Sequence, residues 1–271
     1  MKPAPFAYHM ASDAGAAVSA LMEAAGRAKA MAGGQSLGPM LNLRLARPGL
    51  LVDLSTTPDL QGAQLEDDAI IYGAGVTHAQ IEDGVVPDPT PGWLSAAARH
   101  IAYRAVRNRG TIGGSLAHAD PAADWVNIMM ALGSSVLVAG PGGARVIAAD
   151  QFMTGAYTTA LAPDEIITGL RILRRSPDAR WGYWKFCRKA GDFAQASASV
   201  LVDEKRGQTR ILIGAIETTP AFLSEPEAIF AGRRSVQEAV AEALPTRAAD
   251  GLSLHVAAVS RALAMARGEG D

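Results

Sequence analysis

Cysteine is nearly absent: Cys187 is the only one in 271 residues. An internal disulfide is therefore excluded, and with five scattered histidines the chain cannot assemble a four-cysteine iron–sulfur or zinc site. A charge excess is missing as well. The formal net charge is −2, acids and bases are interspersed, and no basic run offers an electrostatic footprint for nucleic acid. Long apolar runs are also lacking: the most apolar windows, such as residues 128–139, are interrupted by glycine and serine and fall short of the ~20 residues that a membrane-crossing helix needs. The segment Met1-Lys2-Pro3-Ala4-Pro5-Phe6 has no continuous apolar core behind its lysine. No secretory leader is expected, and the cytoplasm is the default location. Neither a G-x-G-x-x-G fingerprint nor a P-loop is present, and there is no solenoid repeat or low-complexity tract.

What is present is a 49% apolar chain, long enough for a well-buried core and for two domains rather than one. Helix and strand signals alternate at the start: residues 13–26 are helical in spacing, 28–32 are short and apolar, and 50–54 are strand-like, which is an α/β pattern. A second unit of the same kind follows. Residues 69–72 read as a strand, Thr77 as an N-cap for a helix through residue 82, and 92–103 as a longer helix. Asp120-Pro121 should cap and start an apolar helix reaching about residue 132. Gly140-Pro141-Gly142-Gly143 marks a hairpin, and residues 165–173 form the next strand. After the polar stretch 174–178 come strands at 182–187, 196–203 and 209–217, then helices at 225–231, 235–243 and 253–266, an α+β half.

Two glycine-rich stretches stand out, Ala32-Gly33-Gly34-Gln35-Ser36-Leu37 and Thr111-Ile112-Gly113-Gly114-Ser115-Leu116. Each pairs adjacent glycines with a hydroxyl residue, so the main chain can approach a ligand and turn N–H groups towards an anion. Either alone reads first as an ordinary tight turn; as a pair they suit a pyrophosphate. Other candidates also have plain structural readings: Asp124 as a first-turn carboxylate favouring the helix dipole, Lys185 as a snorkelling surface lysine, Phe193 as core, and His118 as a loop contact rather than a proton carrier.

The first stretch, with Asn42-Leu43-Arg44-Leu45-Ala46-Arg47-Pro48 and Leu51-Val52-Asp53-Leu54, resembles the first FAD loop of molybdenum-hydroxylase flavoprotein subunits. The run from Arg109 through Gly113-Gly114-Ser115 to Asp120-Pro121-Ala122-Ala123-Asp124 resembles the second, and Arg188-Lys189-Ala190-Gly191-Asp192-Phe193-Ala194 resembles a further family segment. The resemblance implies a PCMH-type FAD-binding domain of two α/β subdomains over residues 1–175, followed by a smaller α+β C-terminal domain, antiparallel sheet plus helices, over 176–271. It implies FAD bound by Ala32, Gly33, Gly34, Gln35, Ser36 and Leu37, and by Thr111, Ile112, Gly113, Gly114, Ser115 and His118. Asp124 would face the flavin nucleotide, Lys185 the flavin ring, Ile167 would pack beside it and Phe193 would cover it. No catalytic residue or metal ligand is expected in this chain. Molybdopterin is expected in a large partner subunit and iron–sulfur clusters in a small one, two such heterotrimers pairing. A stand-alone FAD-dependent oxidoreductase and a flavin-free scaffold are the alternatives.

Overall fold

The first sixty residues fold as the α/β pattern predicts in the computed structural model, which describes residues 2–269; Met1 and residues 270–271, the outer ends of the two expected domains, lie outside the described residues. Strands β1 (Ala7–Met10), β2 (Ala28–Met31) and β3 (Leu50–Asp53), with helices α1 (Ala14–Glu23) and α2 (Leu37–Asn42) between them, form a parallel sheet in the order β1-β3-β2. Asp13 caps α1 through its carboxylate, which accepts the Ala16 N–H at 2.7 Å. The first glycine-rich stretch leaves the end of β2 and runs into α2, at the carboxyl edge of the sheet, where parallel α/β sheets present their loops to ligands.

The second unit departs from the expected α/β repeat. Its strands β4 (Ala63–Leu65), β5 (Ala69–Gly73), β6 (Ser135–Gly140), β7 (Gly143–Ala148) and β10 (Ile166–Leu173) pair antiparallel throughout, in the order β4-β5-β10-β6-β7. Short helices fill the long excursion between β5 and β6: α3 (His78–Glu82), α4 (Trp93–Arg99), α5 (Arg104–Arg107), α6 (Ile112–His118) and α7 (Asp124–Ala131). Thr77 and Gln80 form a full capping box at α3. The expected helix over 92–103 is broken, because Ala102 takes a φ of 44° and the Arg107 guanidinium donates to the Ile101 and Ala102 carbonyls at 3.0 and 3.2 Å. Helix α7 starts at Asp124 rather than Pro121; Asp120 instead accepts the Ala122 N–H at 2.9 Å and caps a turn ahead of it. After β7 come α8 (Ala149–Phe152) and the two-stranded ribbon β8 (Met153–Gly155) and β9 (Thr158–Thr159).

The last unit is an antiparallel sheet, β11 (Arg180–Phe186), β12 (Ala196–Asp203), β13 (Gln208–Gly214) and β14 (Ala221–Phe222), followed by α9 (Pro226–Phe230), α10 (Val236–Ala243) and α11 (Ala249–Arg267). Strand β12 is buried along its whole length, so it reads as a continuous small and apolar run. Its Ala198, Val200 and Val202 join a core under α11, whereas Leu201 joins the core of the second unit, the period of two expected of a strand covered on both faces. Strand β13 stops at Gly214 because Ala215 takes a φ of 56°. Residues after the polar stretch at 174–178 build their own core under α11 and also reach the second unit: Tyr183, Leu201 and Leu212 pack in the same cluster as Ile70 and Trp125, and Trp181 stacks on Trp93 with centroids 5.7 Å apart. Among the described residues no helix is long and apolar enough to cross a membrane.

Gly182 sets how closely α11 approaches the sheet, since a Cβ there would fall 1.8 Å from the Ala262 carbonyl oxygen. Gly182→Ala should therefore lower stability by about 1–3 kcal/mol or more, seen as an earlier urea midpoint; an unchanged midpoint would show that α11 can slide without cost.

Candidate functional site

The two glycine-rich stretches meet. A Cβ on Gly33 would lie 1.9 Å from the Arg109 carbonyl oxygen and 3.0 Å from the Gly110 Cα, so this glycine permits backbone of one loop to press on backbone of the other. Gly34 follows with a φ of 69°, a conformation that suits a residue without Cβ. The loop is braced through its carbonyls: Gln35 Nε2 donates to Gly33 at 3.1 Å, and the N–H groups of Gly38 and Met40 reach the carbonyls of Gly34 and Ser36. Its own N–H groups, from Gly33 through Ser36, find no acceptor among the described residues.

The second stretch behaves differently from the first. Thr111 is the N-cap of α6, and Ile112–His118 are helical. The N–H groups of Ile112 and Gly113 donate to Val76 and Ala74, and that of Ser115 donates to the Thr111 carbonyl; that of Gly114 donates to the Thr111 hydroxyl at 3.0 Å. Gly113 lets α6 lie on the chain after β5, where a Cβ would meet Ala74 at 2.5 Å. What this stretch can offer a ligand is the Ser115 hydroxyl and the Thr111 N–H, which meets no acceptor among the described residues, rather than a cradle of several free N–H groups. Between the loops lies a cavity of about 510 Å³ lined by all the expected site residues except Ile112. The Ile112 side chain is fully buried in the core instead.

At the other end of the cavity, Asp124 accepts the Tyr183 hydroxyl at 2.5 Å and pairs with Lys185 Nζ at 2.8 Å. The i, i+2 spacing on β11 puts both side chains on one face, while Trp184 turns outward beneath the Arg261 guanidinium. Lys185 is not a snorkelling surface residue: its side chain is only 12% exposed. Burial, and then the Asp124 charge, push the Tyr183 phenol well above its ordinary pKa, so it stays a donor. Phe193 is 65% exposed, which removes the core reading and leaves it at the cavity edge. Ile167 lines the wall from the irregular stretch of β10, and His118 lines it with its ring against Tyr157 at 5.3 Å.

Residues 4–172 match the family described as the FAD binding domain in molybdopterin dehydrogenase. The chain belongs to this family. It is 41% identical over 189 residues to the nicotine 6-hydroxylase medium subunit of Paenarthrobacter nicotinovorans, covering 69% of this chain and 66% of that subunit. To the carbon monoxide dehydrogenase medium chain of Hydrogenophaga pseudoflava it is 35% identical over 225 residues, 82% of this chain and 78% of that one. The solved carbon monoxide dehydrogenase of Hydrogenophaga pseudoflava, in a form lacking the Mo-pyranopterin moiety, contains a chain that superposes with a TM-score of 0.89 at 31% identity, covering all of both chains.

The residues present fit the FAD that this family's domain binds. A run of unpaired backbone donors suits an anionic pyrophosphate, and the apolar wall supplied by Leu54, Leu60, Leu161 and Ile167 suits flat aromatic rings. Three supports lie outside the expected site residues. Tyr183 has no motif, and only the register of β11 reveals it. Arg107 is buried against Glu82 at 2.7 Å and holds the Ile101–Ala102 wall. His78 is 5% exposed, lines the cavity, and accepts the Trp125 indole N–H at 3.0 Å; its place in a capping box at the start of α3 was the available signal.

Burial, with the Arg107 charge, pushes the His78 pKa down to about 4 from an ordinary 6.5. The unfolded chain therefore takes up this proton first, so the contribution of His78 to stability is complete above about pH 6.5 and is lost as pH falls towards 4. The wild-type protein should lose roughly 3 kcal/mol more than His78→Gln over that window, measured by urea unfolding at stepped pH; parallel pH profiles would refute it.

Proposed function

We propose that this chain is the FAD-carrying electron-transfer subunit of a heterotrimeric molybdenum-containing dehydrogenase. Substrate would be oxidised at a molybdopterin centre in a large partner, and electrons would pass through iron–sulfur clusters in a small partner to FAD here and on to an external acceptor. The carrying observation is that one cavity gathers expected residues from both loops, from α7 and from β11. The medium-subunit and medium-chain names of the relatives support a role within a complex. When bound, FAD supplies the redox chemistry, accepting electrons from one donor and passing them to another. In this reading residues 1–175 form the FAD-binding domain, and 176–271 lend it Lys185 and Phe193.

The chain's residues then divide the work. The N–H groups of Gly33 through Ser36 and the Ser115 hydroxyl hold the pyrophosphate. Asp124 accepts hydrogen bonds from polar groups of the nucleotide and keeps Lys185 in place. The Lys185 ammonium favours negative charge on the reduced flavin ring, and Phe193 covers one ring face. No side chain need move a proton. Because Lys185 is paired, its field is partly cancelled by Asp124, and the balance of the two sets the electrostatics of the ring.

Two substitutions test that balance by flavin redox titration. Lys185→Met should lower the two-electron potential by roughly 20–60 mV, the equivalent of about 1–3 kcal/mol, and Asp124→Asn should raise it; shifts of the same sign would refute the pair's role. Gly114→Val tests the loop region. Its first carbon would crowd the Thr111 hydroxyl at 2.8 Å, and the branches would enter the cavity and abolish FAD uptake. Full FAD occupancy in this variant would remove α6 from the site. The complex itself is tested by the absorption spectrum of material recovered from its native host through a tag on this chain. Flavin bands with a broad iron–sulfur shoulder would support the proposal, because one cysteine cannot hold a cluster. Flavin bands alone would favour a stand-alone flavoprotein, and no flavin a scaffold.

A further inference from the structure

His78 sits where the two loops join, and its hydrogen bonding leaves one ring edge spare. Its backbone N–H donates to the Gly110 carbonyl at 2.9 Å. The Trp125 indole N–H reaches its Nδ1 at 3.0 Å. An indole N–H can only donate, so Nδ1 must present its lone pair. In a neutral imidazole the proton then resides on Nε2. The Nε2 edge lies beside Gly110, where a Cβ would come within 2.8 Å of it, and His78 lines the cavity. Among the described residues no acceptor meets Nε2, and this nitrogen is not one of the side-chain atoms sealed from solvent without a partner, so it remains open to a ligand in the cavity.

We propose that His78 is a cofactor-binding residue whose Nε2–H donates a hydrogen bond to an acceptor oxygen of FAD in this cavity, and that Trp125 is a positioning residue that fixes the tautomer. The inference rests on the cavity being the FAD site and adds a donor that neither glycine-rich loop supplies. Gly110 takes part in the same arrangement. It is the shared neighbour of Gly33 and of His78 Nε2, so the absence of a side chain there lets the ring edge and the first loop border the same space. The depressed pKa described above agrees with a ring that stays neutral, donating from one nitrogen and accepting at the other. Arg107, the charge that acts on the ring, is paired with Glu82, and of the cavity's carboxylates Asp124 is paired with Lys185.

The test uses the full chain labelled with 15N-histidine, observed by NMR with FAD removed and then with FAD added. The His78 ring should show the Nε2–H tautomer from about pH 5 to 8, and its Nε2 proton should move downfield when FAD is added. Trp125→Phe should release a mixture of tautomers, a change that loss of packing alone would not produce. His78→Phe should weaken FAD binding about tenfold to a hundredfold, the range for a hydrogen bond to a polar or charged acceptor, with circular dichroism confirming the fold. Should that variant fail to fold, the wild-type spectra still decide. An Nδ1–H tautomer, or FAD uptake that leaves the His78 signals unmoved, overturns the proposal. A wild-type chain that takes up no FAD overturns the reading of the cavity itself.

Discussion

The contact between Gly33 and the backbone of Arg109 and Gly110 is the constraint on which the cavity depends. The two loops come from different sheets, one parallel and one antiparallel, and nothing in sequence separation brings them together. They meet because one residue has no Cβ: any side chain at Gly33 would overlap the Arg109 carbonyl. The glycine therefore acts first on packing and only through packing on a ligand. With the loops pressed together, the N–H groups from Gly33 to Ser36 find no acceptor among the described residues, and their residues line the cavity. Gly113 plays the equivalent part for α6, seating that helix against Ala74.

A second constraint runs through Asp124. A carboxylate at 8% exposure is costly unless it is paired and hydrogen-bonded, and both its partners, Tyr183 and Lys185, come from β11. The last sheet is thus tied to the cavity wall by a buried charge, beside the stack of Trp93 on Trp181 and the Trp181 indole N–H donated to the Pro91 carbonyl at 2.8 Å. Removing one member would leave its partner's charge buried. The alternation of β11 lets a single strand do two things: Tyr183 and Lys185 enter the site while Trp184 remains outside with Arg261.

The sequence made local elements and the glycine loops legible, because their signals are local. Strand β12 has the expected bounds of 196–203, and the capping box at Thr77 and the hairpin across residues 140–143 depend on neighbours a few positions apart. What sequence could not show depended on partners far along the chain. The antiparallel second sheet follows from pairing β5 with β10, strands almost a hundred positions apart and unrelated by any short turn. The helical state of Ile112–His118 follows from Thr111 capping Gly114, which converts a presumed cradle into a helix start. The break at Ala102 follows from Arg107 reaching back to nearby carbonyls. Among the site residues, those in loops were visible as motifs, whereas Tyr183 and His78 act through register and burial.

The way charge is distributed also couples the cofactor to the fold. Lys185 is committed to Asp124 and Arg107 to Glu82, so these buried cations do not approach the pyrophosphate as free charges. At the first loop an anion would meet backbone N–H groups, whose direction is fixed by the loop contact and which carry no conformational freedom of their own to lose, and Lys29, which also lines the cavity. Among the described residues those N–H groups meet no acceptor, and an unmet donor shielded from water costs free energy. A ligand that satisfies them binds the folded chain and has no comparable site in the unfolded one, so its binding energy adds to stability. The same geometry that turns these donors to the cavity therefore makes the two loops, and the sheets behind them, more stable once FAD is held.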